Sequence, residues 1–154
     1  MPQMAHGTAI SIGGHGVLIM GESGSGKSDL ALRLIDRGAI LISDDVVFLE
    51  TRDNAPILTV APNIAGKIEV RGVGIFDVDF IASAPLRLVI EFVEAPDRLP
   101  EDIARATIGD YVVPVSRLNP FEHSSAIKVE YALRAVLDSG VRPECVSVKE
   151  SLPS

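Results

Sequence analysis

The stretch Gly21-Glu22-Ser23-Gly24-Ser25-Gly26-Lys27-Ser28 constrains this chain more than any other. It fits G-x-x-x-x-G-K-[ST], the phosphate-binding P-loop or Walker A pattern. The apolar run Gly16-Val17-Leu18-Ile19-Met20 leads into it, and a helical pattern from Asp29 to Arg37 leads out. Strand, loop and helix in that order are the context the motif requires. Glycines at 21, 24 and 26 allow positive φ and a close approach to an anion. The loop amides then form a nest around phosphate oxygens, at the positive end of the helix that follows. Lys27 supplies a point charge for the β- and γ-phosphates, and the Ser28 hydroxyl a ligand for Mg²⁺. Residues Gly21 to Ser28 are therefore the candidate nucleotide-binding set. The bland alternative is a Gly/Ser-rich loop that fits by chance; the two flanks and an acidic pair downstream weigh against it.

Composition narrows the classes. A length of 154 residues predicts one domain, covering residues 1–154, large enough to bury a core. The net charge of -7 argues against binding to a nucleic-acid backbone. It suits a protein partner or a Mg²⁺-neutralised nucleotide better. No apolar run approaches the ~18 residues of a membrane span, and the N-terminus lacks a signal-peptide pattern. The single cysteine, Cys145, permits no intramolecular disulfide and is compatible with a reducing cytoplasm. It reads as a small buried or tail residue.

The rest of the chain reads as alternating strands and a few helices. Residues 1–5 are expected to fray. Thr8 to Ile12 and Gly16 to Met20 form a hairpin across the Gly13-Gly14-His15 turn. Leu30, Ala31, Leu34 and Ile35 recur at helical spacing, and Gly38 stops that helix. Ala39-Ile40-Leu41-Ile42 reads as a buried strand that ends in Ser43-Asp44-Asp45. Adjacent carboxylates raise each other's proton affinity unless a cation lies between them. Beside a P-loop that cation would be Mg²⁺, and one carboxylate can then take a proton from an attacking hydroxyl. The alternative is an ordinary Asp-Asp turn.

Val46 to Glu50 and Ile57 to Ala61 are short strands. Lys67 to Val78 is an alternating strand, a Gly72-Val73-Gly74 break, then an apolar strand. Glu69 and Arg71, two apart, share a face; Glu69 could reach a metal and Arg71 a phosphate, or the two are an exposed charge pair. Leu86 to Val93 reads as a central strand. Glu94 to Asp110 reads as a connection that carries Arg98, with a helical hint over Ile103–Ala106. Tyr111 to Val115 is a strand, and Pro114 places it at an edge or a strand end. A second helix runs from about Ser124 to Ser139, with Ala126, Val129, Leu133, Val136 and Leu137 as its apolar stripe. From Glu144 onward no packing pattern is visible.

Four stretches in this order carry a resemblance: His6-Gly7, Gly21 to Ser28, Leu41-Ile42-Ser43-Asp44-Asp45, and Glu69-Val70-Arg71-Gly72-Val73-Gly74-Ile75-Phe76-Asp77-Val78. The chain resembles the C-terminal catalytic domain of bacterial HPr kinase/phosphorylase, whose signature E-[IV]-R-G-[LV]-G-I-x-D-V matches the last stretch. The resemblance is firm over residues 6–80 and thinner over 81–137.

It implies an α/β fold, a P-loop kinase domain similar to the nucleotide domain of phosphoenolpyruvate carboxykinase, with a mixed β-sheet and flanking helices. It implies a Mg²⁺- and ATP-dependent enzyme that phosphorylates a serine on HPr, the phosphocarrier of the sugar phosphotransferase system. By the same resemblance, Lys27 contacts the β- and γ-phosphates, Ser28 and Glu69 bind Mg²⁺ with Asp44 as a metal neighbour, and Asp45 is the general base. His6 matches a catalytic-site histidine hydrogen-bonded to the acidic centre, and Arg98 an active-site arginine.

Two departures stand out. The N-terminal domain common in the family is not in this sequence, which reads as a short form. The family's P-V-R-P-G-R motif, tied to dephosphorylation, aligns with Pro114-Val115-Ser116-Arg117-Leu118-Asn119-Pro120, where the P-G-R turn is missing. The phosphorylase half and the family's hexameric homo-oligomer are thus less firmly implied than the kinase. The rival readings are a P-loop kinase of a small metabolite and a nucleotide-binding regulator without turnover.

Overall fold

Two long strands set the frame of the protein, whose computed structural model describes residues 3–99 and 102–146. The strands are β1 (Gln3–Ile12) and β8 (Ser83–Phe92), each shared between two halves of one mixed sheet. The first half of β1 pairs with β4 (Val46–Arg52), and its second half with β2 (His15–Met20) on one side and β3 (Ile40–Ser43) on the other. β4 pairs with β5 (Ala55–Val60), and β5 returns to the start of β8. Further along, β8 lies between β2 and β10 (Tyr111–Leu118), parallel to both. β9 (Ala104–Ile108) and β11 (Glu144–Cys145) each pair antiparallel with β10.

This arrangement leaves two apolar layers. Val17 and Ile19 of β2 and Leu88 and Ile90 of β8 face the helices, while Leu18 and Val89, one residue out of phase, face the strands that fold over the other side. Period-two alternation with both faces buried is why these strands read as unbroken apolar runs.

Helix α1 (Lys27–Asp36) covers the first layer with Leu30, Ala31 and Leu34, all fully buried. Truncating Leu34 to alanine would cost about 2–5 kcal/mol, the range for a large-to-small change in a filled core. The helix ends in a Schellman turn: Gly38 has φ +110°, its N–H donates to Ile35 O at 3.0 Å, and the Ala39 N–H donates to Leu34 O at 3.0 Å. Helix α2 (Ser125–Ser139) adds Ala126, Val129, Leu133 and Val136 to the same layer and stops at Gly140, φ +76°.

The topology fixes where chemistry can occur. β2 and β3 are both antiparallel to β1 and so run parallel to each other on either side of it. Helix α1 is the crossover between them. The loop after β2 and the acidic pair after β3 therefore emerge at the same sheet edge, flanking Gly7 and Thr8 of β1.

Several expectations change. Residues 3–5 do not fray; they pair with β4 through Gln3 opposite Leu49 and Ala5 opposite Val47, whereas residues 1–2 lie outside the described part. The helical hint over Ile103–Ala106 is instead strand β9. Its A-R-A-T-I sequence alternates half-buried and exposed residues, and Ala104, Ala106 and Ile108 pack on the second layer. β10 is not an edge strand; Pro114 sits one residue before its pairing with β8 begins at Val115, so the missing N–H removes no bond on that side. Glu144 and Cys145 are a paired strand, and the expectation for the remaining tail falls on residues 147–154, outside the described part. The strand over residues 74–78 does not enter the core. β6 (Lys67–Val70) and β7 (Gly74–Asp77) pair only with each other, every residue of β7 is exposed, and Ile68 alone anchors the hairpin in the first layer.

Candidate active site

Ser23, Gly24, Gly26, Lys27, Ser28 and Asp29 line one wall of a cavity of about 290 Å³, and Asp45, Glu69 and Arg71 line the other. The wall built from residues 21–28 is the turn between β2 and α1. Gly24 and Gly26 adopt φ +81° and +104°, which a side chain would strain. At Gly21 the need is space: a Cβ would lie 2.4 Å from Ser25 Oγ. Glu22 contributes its carbonyl, which accepts the Ser25 N–H at 3.0 Å and the Lys27 ammonium at 3.1 Å. Gly21, Glu22 and Ser25 thus shape the loop without lining the cavity.

Lys27 is only 5% exposed, and its Nζ lies 3.2 Å from Asp45 Oδ1. Asp45 itself is 59% exposed, so the pair spans from the loop floor to open solvent. Its backbone sits at φ +67°, an uncommon conformation that Asp tolerates better than most residues. That turn is clamped from β1: the Gly7 N–H donates to Asp45 O at 2.9 Å, and the Asp45 N–H donates to Thr8 Oγ1 at 3.2 Å.

Asp44 is the hub beneath. Its Oδ1 accepts the hydroxyls of Thr8 at 2.8 Å and Ser28 at 2.7 Å, and its Oδ2 accepts the Glu69 N–H at 3.0 Å. One buried carboxylate therefore ties the β1 strand, the phosphate loop and the β6–β7 hairpin. Hydrogen bonds to a charged acceptor are the stronger kind. A second tie joins hairpin and loop, where Arg71 Nη1 donates to Gly24 O at 3.2 Å.

Seven of the expected residues, Ser23, Gly24, Gly26, Lys27, Ser28, Asp45 and Glu69, thus meet at one cavity, with Asp44 directly behind. His6 stands apart from this group. It is exposed on β1, opposite Val46, and its side chain makes no hydrogen bond to the acidic pair. The register puts Thr8, two residues along the same face, at Asp44 instead. Arg98 is exposed on the β8–β9 connection and does not line the cavity. Thr8 is a participant that local sequence pattern does not mark: it is fully buried, and its role depends on the β1–β3 register.

The donor set fits a hard divalent cation. Glu69 lines the cavity with no ion pair to any described residue, and Ser28, also in the lining, gives its proton to Asp44, so its oxygen keeps its lone pairs for a cation. Asp44 accepts three hydrogen bonds and orients Ser28, and its Oδ2, with a single bond, keeps a lone pair beside the site. Among the described residues no cluster of three or more His, Cys, Asp or Glu forms a closed metal cage. A cation held by one or two protein oxygens, with phosphates and water completing the shell, is how Mg²⁺ is ordinarily bound.

Comparison with known proteins identifies the family. The model of the HPr serine kinase C-terminal domain matches residues 1–118. The HPr kinase/phosphorylase of Caldicellulosiruptor bescii is 47% identical over 74 residues, covering 47% of this chain and 24% of that protein. The HPr kinase/phosphorylase of Mycoplasmopsis pulmonis is 34% identical over 127 residues, covering 71% of this chain and 40% of that protein. This chain therefore spans well under half the length of either relative. The solved structure of the HPr(Ser) kinase/phosphatase from Coxiella burnetii superposes with a TM-score of 0.76 at 30% identity, over 90% of this chain and 98% of that one. With the family model matched from β1 to the end of β10, and the strands, loop and acidic pair it spans in place, the chain belongs to the HPr serine kinase C-terminal domain family.

Proposed function

We propose that this chain is an ATP-dependent protein-serine kinase that phosphorylates the phosphocarrier HPr. One observation carries the reading: Asp45, largely exposed, lies 3.2 Å from the buried Lys27 of the phosphate loop. A carboxylate open to solvent yet tied to the phosphate-binding lysine is placed to meet a hydroxyl delivered from outside by another protein.

In the proposed reaction the serine oxygen attacks the γ-phosphorus while its proton passes to Asp45. The bond from phosphorus to the β,γ-bridging oxygen breaks, and ADP leaves with that electron pair. The loop amides hold the α- and β-phosphates, Lys27 reaches the β- and γ-phosphates, and Arg71 supplies positive charge on the hairpin side. Ser28 and Glu69 would hold Mg²⁺, which neutralises the phosphate charge that develops. Positioning and charge neutralisation supply most of the catalysis in this class. Arg98 has no part in this arrangement, and His6 serves as a neighbour of the Asp45 turn. The β2–loop–α1 unit supports a further likeness to the nucleotide domain of phosphoenolpyruvate carboxykinase. No described helix is long and apolar enough to cross a membrane, and a cytoplasmic site of action is part of the same proposal, since ATP and HPr are its substrates.

Incubation with labelled ATP, Mg²⁺ and purified HPr tests the reading. Label on an HPr serine supports it. ADP formed only when a small metabolite is added would favour a metabolite kinase, and tight ATP binding without turnover a regulator. Release of label from phospho-HPr as pyrophosphate, dependent on added inorganic phosphate and regenerating the serine hydroxyl, would add the phosphorylase direction.

A further inference from the structure

The turn between β10 and α2 presents a side chain that neither the core nor the phosphate cavity accounts for. Phe121 is 79% exposed, yet the turn beneath it is closely tied. Asn119 Oδ1 accepts the Phe121 N–H at 2.9 Å, and Asn119 Nδ2 donates to Glu94 O at 3.2 Å. Ser125 Oγ donates to Asn119 O at 2.6 Å. Arg33 Nη2 donates to Pro120 O at 2.5 Å, and its Nη1 to Glu122 O at 3.2 Å. Arg33 belongs to α1, the helix that grows out of the phosphate loop. Turn and loop are therefore held as one body.

The ring lies beside that loop. A Cβ built on Gly26 would stand 3.5 Å from Phe121 Cε1 and 3.8 Å from Pro120 Cβ. In a P-loop the glycine-rich amides cradle the α- and β-phosphates while the lysine reaches the β- and γ-phosphates. Here the γ-end is marked by Lys27, Asp45 and Glu69. The nucleoside hangs from the α-phosphate at the outer end of the cradle, and the phenyl ring stands beside Gly26, just outside the cavity lining. An exposed aromatic face on a rigid support loses little conformational entropy on stacking, and every nucleobase offers a π-face to it. Phe121 also lies beyond residues 1–118, which carry the family match.

We propose that Phe121 is the stacking platform for the base of the bound nucleoside triphosphate. The proposal rests on the kinase reading only in taking Gly21 to Ser28 as a triphosphate cradle. Phe121 is a binding residue here, acting on nucleotide affinity and not on the transferring phosphoryl group.

The chain contains no tryptophan, so Phe121→Trp is a single-fluorophore reporter at the site. Its emission should be quenched by Mg²⁺-ATP and left unchanged by Mg²⁺-tripolyphosphate, when calorimetry shows both bound. Phe121→Ala should weaken ATP roughly tenfold to a hundredfold, the range for one base–aromatic stack, while tripolyphosphate affinity holds. Equal losses for the two ligands, or equal responses of the reporter, would overturn the stacking proposal and leave the cradle standing. Failure of the wild-type protein to bind either ligand would overturn both.

Discussion

Lys27 Nζ and Asp45 Oδ1 stand 3.2 Å apart across the mouth of the phosphate loop, one partner buried and the other open to water. The pair holds the loop and the acidic turn in one geometry before any phosphate arrives. An ion pair with an exposed partner contributes only about 0–1 kcal/mol to folding, so its value lies in position. Lys27→Ala is expected to weaken ATP binding and phosphoryl transfer together while shifting the urea midpoint little. Titration calorimetry and a denaturation curve check both parts; unchanged ATP affinity would remove the P-loop reading.

Asp44 is expected to matter most for stability. It is 7% exposed and accepts three hydrogen bonds from three different elements. Asp44→Ala leaves the Thr8 and Ser28 hydroxyls and the Glu69 N–H without their acceptor. We expect a loss of about 2–4 kcal/mol, given roughly 1–3 kcal/mol for stranding a buried polar group. Equilibrium urea unfolding measures it directly.

Much of this was legible from residues alone because it is local. Glycine spacing at 21, 24 and 26, the apolar phase of Leu30 and Leu34, and the Gly38 stop all act within a few residues of themselves. The acidic pair was readable because two carboxylates closing a buried strand conflict with packing. What escaped depends on partners far along the chain. Thr8 is an unremarkable strand residue until the β1–β3 register sets it against Asp44. Ala104-Arg105-Ala106 looks helical by propensity and becomes a strand because β10 offers an edge. Ile75 and Phe76 look like core and stay exposed because their hairpin pairs only with itself. Phe121 carries no motif; its interest arises only from its closeness to Gly26.

Thr8→Val separates the clamp from the shape. Valine keeps the volume of the buried threonine but removes the hydroxyl that donates to Asp44 and accepts from the Asp45 N–H. We expect a stability loss of about 1–3 kcal/mol, and a fall in kcat larger than any rise in KM for ATP, since the Asp45 turn loosens while the phosphate loop keeps its glycines. Steady-state kinetics across ATP concentrations distinguish the two; a pure KM effect would contradict the assignment of Thr8 to the Asp45 turn.

Glu69→Gln should raise the Mg²⁺ concentration needed for half-maximal activity without altering the fold, because the exposed carboxylate makes no ion pair with a described residue. The far-ultraviolet circular dichroism should be unchanged. An identical Mg²⁺ dependence in variant and wild type would exclude Glu69 as a ligand. Chelation of the metal should abolish transfer in both.

The central claim is that Asp45 takes the proton of the incoming serine. Asn is the replacement of choice, since it tolerates the positive φ found at this position and removes the basic oxygen. Transfer from ATP to HPr under saturating ATP and Mg²⁺ should fall by roughly 10²–10⁴ in Asp45→Asn, the usual contribution of a general base, with ATP affinity close to that of the wild type. An Asp45→Asn protein that phosphorylates HPr at the wild-type rate would contradict the account.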